Sequence, residues 1–202
     1  MLAHVKMNLL SQESNMNPQE TICRALKNKK VCVVSIPGAH SWLESVKSEL
    51  EQDGIRCASV SIPMRFTISM WGGTNKDVDE FYNGIMLNII RQLNIEIDFK
   101  QWLNDNTQIL PSRTLFVETF LGMVFEKVSE DIIIFFYGID ELPAEVKNGF
   151  FAKLRSVHEK RASRPKQGYG RLTFCLLGNI PKTFFHDVNN PPFNIAFEWI
   201  EV

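Results

Sequence analysis

Hydrophobic residues recur along this chain in two spacings. Nearly unbroken apolar runs stand at Val31–Val34, Ile132–Phe136 and Leu172–Leu177, and a looser one spans Ile55 to Ile62. Short apolar runs bounded by turn residues predict strands buried on both faces, as in a parallel sheet covered by helices. Between them the apolar positions fall three or four apart, the spacing of an amphipathic helix. Trp42, Leu43, Val46 and Leu50 place one helix over Ser41 to Gln52. Phe81, Ile85, Leu87, Ile89 and Ile90 place another, capped by Asp77 or Asp79 and running to Leu93. A third opens at Pro111 or Ser112 and reaches Val128, and a fourth runs from Ala144 to Arg161 with Val146, Phe150, Phe151, Leu154 and Val157 inward. Pro18 to Leu26 reads as a short helix with proline near its start. Phe99 to Leu103 reads as a short helix or turn. Strands alternate with helices, so the predicted class is α/β: a parallel sheet with the strands at Val31, Ile55, Ile132 and Leu172 at its centre, helices on both faces and right-handed crossovers.

The 202 residues suit one domain, predicted over 19–202 behind a loose polar arm, 1–18. No apolar run approaches the ~20 residues that span a bilayer. The apolar stretch near the amino terminus is broken by His4 and Lys6 and lacks a small-residue cleavage site, so it does not read as a signal peptide. A net charge of −1 makes no global case for nucleic acid or membrane. The four cysteines, Cys23, Cys32, Cys57 and Cys175, lack metal-ligand spacing and read as buried thiols of a cytoplasmic protein.

In open α/β sheets, ligands bind beyond the carboxyl ends of the strands. The turn after the first strand is Ser35-Ile36-Pro37-Gly38-Ala39-His40-Ser41. A phosphate-binding turn there would end in Gly-Lys-Ser/Thr, with backbone amides and the lysine on the phosphates and the hydroxyl on magnesium. Here Ala39 stands at the lysine position and His40 at the hydroxyl position, unless Ser41 takes that role, and the turn is about three residues short. The run Ile132–Phe136 would deliver a magnesium-coupling Asp and a water-polarising Glu at its carboxyl end. Tyr137 and Gly138 stand there, and Asp140 and Glu141 follow, either as displaced acids or as caps of the next helix. Asn179 is placed either to contact a γ-phosphate or water, or as a plain turn residue beside Pro181. A basic run of Lys153, Arg155, Lys160, Arg161, Arg164 and Lys166 is either a solvated helix face or a nucleic-acid contact.

Several separated segments agree in order with one known family. Phe150-Phe151-Ala152-Lys153-Leu154-Arg155, Arg161-Ala162, Arg171–Gly178 and Pro192-Phe193-Asn194-Ile195 resemble the bacterial AAA-like ATPase domain found in multidomain signalling proteins. Phe81-Tyr82-Asn83-Gly84, Leu93-Asn94-Ile95, Trp102 and Ile132–Phe136 with Ile139-Asp140 agree with it too. The resemblance spans Gln19 to the carboxyl terminus. It implies a three-layer P-loop NTPase fold of the AAA/STAND type and a nucleotide-binding regulatory switch. The chain departs from the family where the phosphate-loop Lys and the Asp-Glu pair should stand, and the family's helical lid is expected to be missing because the chain stops at Val202. The leading expectation is therefore a catalytically inactive domain, with Gly38, Ala39, His40, Ser41, Tyr137, Asp140 and Asn179 as a vestigial nucleotide site, no bound cofactor and another protein as partner. The alternatives are an ATP-binding switch that uses His40, Ser41 and Asp140, and an accessory domain that contacts nucleic acid.

Overall fold

The computed structural model describes residues 17–35, 41–62, 75–107, 113–142, 144–179 and 197–201. Five parallel strands run β1 (Val31–Ser35), β2 (Arg56–Ser61), β3 (Ile132–Tyr137), β4 (Leu172–Leu177) and β5 (Phe197–Glu201), in the spatial order β2-β3-β4-β1-β5. The helices are α1 (Pro18–Lys27), α2 (Ser41–Gln52), α3 (Asn75–Gln92), α4 (Phe99–Thr107), α5 (Arg113–Lys127) and α6 (Ala144–Ser163). This is a three-layer α/β sandwich.

The predicted strands form where the apolar runs stand, but not all at the centre. Among the described residues β2 is an edge strand, and β1 is interior because β5, formed by the tail and not foreseen as a strand, pairs along its whole length. β3 lies between β2 and β4, with Ile132 to Phe136 all buried. Alternate β3 residues feed the two layers, because successive side chains of a strand point to opposite faces. Ile132, Ile134 and Phe136 join Phe81, Ile89, Phe120, Phe150 and Phe151 beneath α3, α5 and α6. Ile133 and Phe135 meet Ile22, Leu26, Leu43, Val46 and Leu50 of α1 and α2. On α3 the core position is Met86, and the predicted Leu87 is only half-buried, since Met86 continues the face of Tyr82, Ile89 and Ile90. α4 is a full helix. Its Trp102 meets Phe120 edge-on at 5.9 Å and stacks on Phe99 at 6.0 Å.

Three helices end in the same way. At the close of α1, Lys29 N–H donates to Leu26 O (2.8 Å) and Lys30 N–H to Ala25 O (3.0 Å), with Lys29 left-handed at φ 58°. Gly54 and Asn94 repeat the arrangement after α2 and α3, at φ 79° and 52°. This is the Schellman closure, which satisfies carbonyls that the helix leaves open and favours glycine or asparagine at the left-handed residue. Lys29 is the costly choice of the three. Its side chain offsets the strain: Nζ bonds Asp131 Oδ1 at 2.8 Å and Gly170 O at 3.3 Å. The first helix opens with equal economy, Asn17 accepting from Gln19 N–H at 3.0 Å and Pro18 standing where no donor is needed.

The β2 edge is closed by a side chain. Gln92 Oε1 accepts from Ser59 N–H at 2.7 Å, and Gln92 Nε2 donates to Ser59 O. The carboxamide thus replaces the peptide group of a further strand, and Arg56 reaches Leu93 O beside it at 2.5 Å. Edges left open invite pairing with other chains.

Candidate functional site

All five strands are parallel, so their carboxyl ends share one rim. From β1 the chain crosses to β2 on one side, whereas from β4 it crosses to β5 on the other. The switch point therefore falls between β4 and β1, where an open α/β sheet carries its ligand crevice. The two strand ends are joined there by Gly178 N–H donating to Val34 O at 3.3 Å. The turn bearing Gly38, Ala39 and His40 lies outside the described residues. β1 ends at Ser35 beside the switch point, and Ser41 is the first residue of α2.

The acid side of the crevice is built by β3 and the turn after it. Tyr137 ends β3, opposite Leu177 of β4 and Ser61 of β2, and its carbonyl accepts from Ile62 N–H at 2.8 Å. Its ring packs against the apolar cluster of the α1–α2 layer. Burial pushes the phenol above its ordinary range, so it is neutral at pH 7. Gly138 is left-handed at φ 65°, and its carbonyl accepts from Glu141 N–H (2.9 Å), closing a 3-10 turn over Ile139–Glu141. Ile139 is wholly buried and anchors this turn, while Asp140 and Glu141 are exposed. The two acids thus sit in their own turn, two residues short of α6, rather than in its first turn.

The turn sends Asp140 back over the neighbouring strand. A methyl group placed on Gly178 would run into the Asp140 carboxylate and meet Ile139 at 3.1 Å. The absence of a side chain at Gly178 is what allows Asp140 to rest there, next to exposed Asn179. The structure places Tyr137, Asp140 and Asn179 at or just beyond the carboxyl ends of β3 and β4. The Asp140–Gly178 contact itself had no signal in the sequence. Among the described residues no three acids, histidines or cysteines converge as a metal site. Tyr137 and Gly138 carry no side-chain carboxylate, and the acids that follow, Asp140 and Glu141, stand in the next turn rather than on the strand.

The predicted basic face is largely spent within the fold. Lys160 pairs with Glu118, Arg155 with Glu159 at 2.9 Å, and Lys153 lies 4.6 Å over the Tyr82 ring. Arg161 is half-buried and donates to Lys29 O at 2.6 Å. Arg164 and Lys166 alone of the six are exposed and unpaired among the described residues. The four cysteines are free and buried in the α1–α2 layer. Burial pushes the thiols of Cys23, Cys32 and Cys57 up to about 12, and Cys175 also rises, so they are inert hydrophobes. None of the helices described is long and apolar enough to cross a membrane.

No protein-family model and no curated protein matches the chain. Among solved structures, the ORC2 protein of Aeropyrum pernix, determined in ADPNP and ADP complexes, is similar over 91% of this chain and 46% of that one, with a TM-score of 0.56 and 14% identity. A Walker-type ATPase of Pyrococcus abyssi is similar over 92% of this chain and 52% of that one, with a TM-score of 0.48 and 11% identity. The chain spans about half the length of each. The likeness to ORC2 bears on the fold alone, and it agrees with the P-loop class that the strand order and the switch-point crevice define.

Proposed function

We propose that this chain is a P-loop-fold domain that does not turn over nucleotide and acts as a protein-interaction or regulatory module. One observation carries the reading: β3, the strand that should deliver the magnesium acid, ends in Tyr137, whose ring lies in the apolar layer beneath α2. The next position, Gly138, is left-handed, a conformation that a glutamate adopts only at a cost. Ala39 and His40 in the preceding turn supply neither the phosphate-binding cation nor the magnesium hydroxyl. Loss of metal anchor and lysine together removes most of the positioning on which phosphoryl transfer depends. The segments shared with bacterial AAA-like domains favour a role in a bacterial signalling or defence system, in the cytoplasm.

The Asp140–Gly178 contact favours one second reading, an ATP-binding switch whose acid comes from the turn after β3 rather than from the strand. Calorimetric titration with ATP and magnesium, beside a turnover assay, separates the two. The inactive domain shows no micromolar binding and no hydrolysis. Micromolar affinity, or turnover that Asp140→Asn abolishes, establishes the switch and overturns the first reading.

A further inference from the structure

The far end of the molecule, at the amino ends of the strands, carries a groove of about 500 Å³ between α5 and the segment Arg164–Arg171 that links α6 to β4. Its second wall is held rigid. Arg171 donates to Val128 O and Glu130 O (3.2 Å) and to Phe125 O (2.9 Å), closing the open carbonyls at the end of α5. Tyr169 is buried and meets Phe125 edge-on at 5.2 Å. Gly168, left-handed at φ 90°, is pressed so close that a Cβ there would stand 2.5 Å from the Phe125 ring. Two 3-10 turns, Pro165–Gln167 and Tyr169–Arg171, span the wall from end to end. The groove is therefore formed in advance of any ligand, which removes the ordering cost that a floppy loop would carry.

Its charges are unequally engaged. Glu118 is held by Lys160, and Arg171 is committed to backbone carbonyls. Arg164 and Lys166 line the groove, exposed, with no ion-pair partner among the described residues. We propose that this groove docks an acidic peptide segment of a partner protein, its carboxylates meeting Arg164 and Lys166. Arginine recognises carboxylates in a two-pronged geometry and lysine as a point charge. A nucleic acid fits less well. Tyr169, being buried, offers no open ring on which a base could stack, and the one exposed acid of the lining, Glu126, is outnumbered by Arg164 and Lys166. The lining is too polar for the largely apolar pockets that take small molecules. The docking site rests on the reading of the domain as an interaction module, and adds to it the surface and the chemistry of the partner.

The test is fluorescence anisotropy with a short labelled peptide of alternating Glu and Ser, its Gln-for-Glu counterpart, and single-stranded DNA of similar length. The acidic peptide binds, the Gln peptide does not, and binding weakens as salt rises. The double variant Arg164→Glu with Lys166→Glu, both sites exposed, keeps the parent melting temperature and loses at least about tenfold in affinity, the scale of one lost charge-assisted contact. Arg24→Glu, on the opposite layer, leaves affinity unchanged. Absence of peptide binding, an unaltered affinity in the double variant, an equal loss with Arg24→Glu, or tighter binding of DNA than of peptide each overturns the proposal. Titration with ATP reads the opposite end of the sheet, so failure of the docking site and failure of the inactive-domain reading register in different measurements.

Discussion

The Asp140 carboxylate rests against Gly178, so close that a single methyl group at Gly178 would displace it. One residue comes from the turn after β3 and the other from the end of β4, and their contact closes the rim of the switch-point crevice. Gly178→Ala should cost about 1–2 kcal/mol through overpacking. Asp140→Ala in the same chain should recover part of that loss. Chemical denaturation of the two single variants and the double gives the coupling, which for residues in contact is about 0.5–3 kcal/mol. A coupling near zero would mean that Asp140 does not occupy this place.

Installing the acids of a P-loop NTPase site at the end of β3 should harm the protein before it helps. Tyr137→Asp puts a carboxylate against the apolar cluster of the α1–α2 layer, and Gly138→Glu forces a side chain into a left-handed residue at φ 65°. Together with Ala39→Lys and His40→Ser, these changes should lower the melting temperature by several degrees, at about 2–4 °C per kcal/mol for a chain of this size, without yielding ATPase activity. Calorimetry and a phosphate-release assay on one sample check both halves.

Phe151 is wholly buried and meets Phe150 edge-on at 5.6 Å. Phe151→Ala should destabilise by about 3–5 kcal/mol, the cost of truncating a buried phenylalanine. A melting temperature within a degree or two of the parent would show that α6 is misplaced.

Gln92 guards the β2 edge through both halves of its amide. Gln92→Leu should cost about 1–3 kcal/mol, because Ser59 N–H and C=O lose their partners, and should promote association through the bared edge. Gln92→Glu should remain destabilising, since a carboxylate accepts from Ser59 N–H but cannot donate to its carbonyl. Denaturation midpoints and light scattering separate the two effects.

His158 supplies a pH dependence of known sign. Burial first, then the neighbouring Arg161, hold its pKa below the ordinary value, so the folded chain binds the proton less readily than the unfolded one. Stability from the neutral ring is present above about pH 6.5, the unfolded value, and is lost as pH falls through the lower folded value. His158→Gln should flatten that limb of a melting-temperature profile and leave the slope below pH 4 in place, where carboxylates such as Glu49, held down by Lys27, take their protons.

Much of the sheet was legible in the chain, because a strand buried on both faces announces itself locally. Ile132–Phe136 and Leu172–Leu177 can be read as strands with no knowledge of their neighbours, and Tyr137 and Gly138 are located by counting from the first of them. The tail strand was not legible: Phe197–Glu201 is short, shows neither an unbroken apolar run nor strict alternation, and becomes a strand by pairing with β1. That pairing makes β1 interior and leaves β2 as the edge. The fate of the basic residues was settled at the same level. Lys160, Arg161 and Arg164 read alike in sequence, yet the first meets Glu118 on α5, the second Lys29 before β1, and the third faces a groove. Asp140 against Gly178 and Gln92 against Ser59 are contacts of the same kind. Hydrophobic pattern is set by each residue's own side chain and its near neighbours, so the sequence determined the elements. A polar side chain takes its meaning from a partner brought near by chain crossovers, and those partners only the tertiary structure decided.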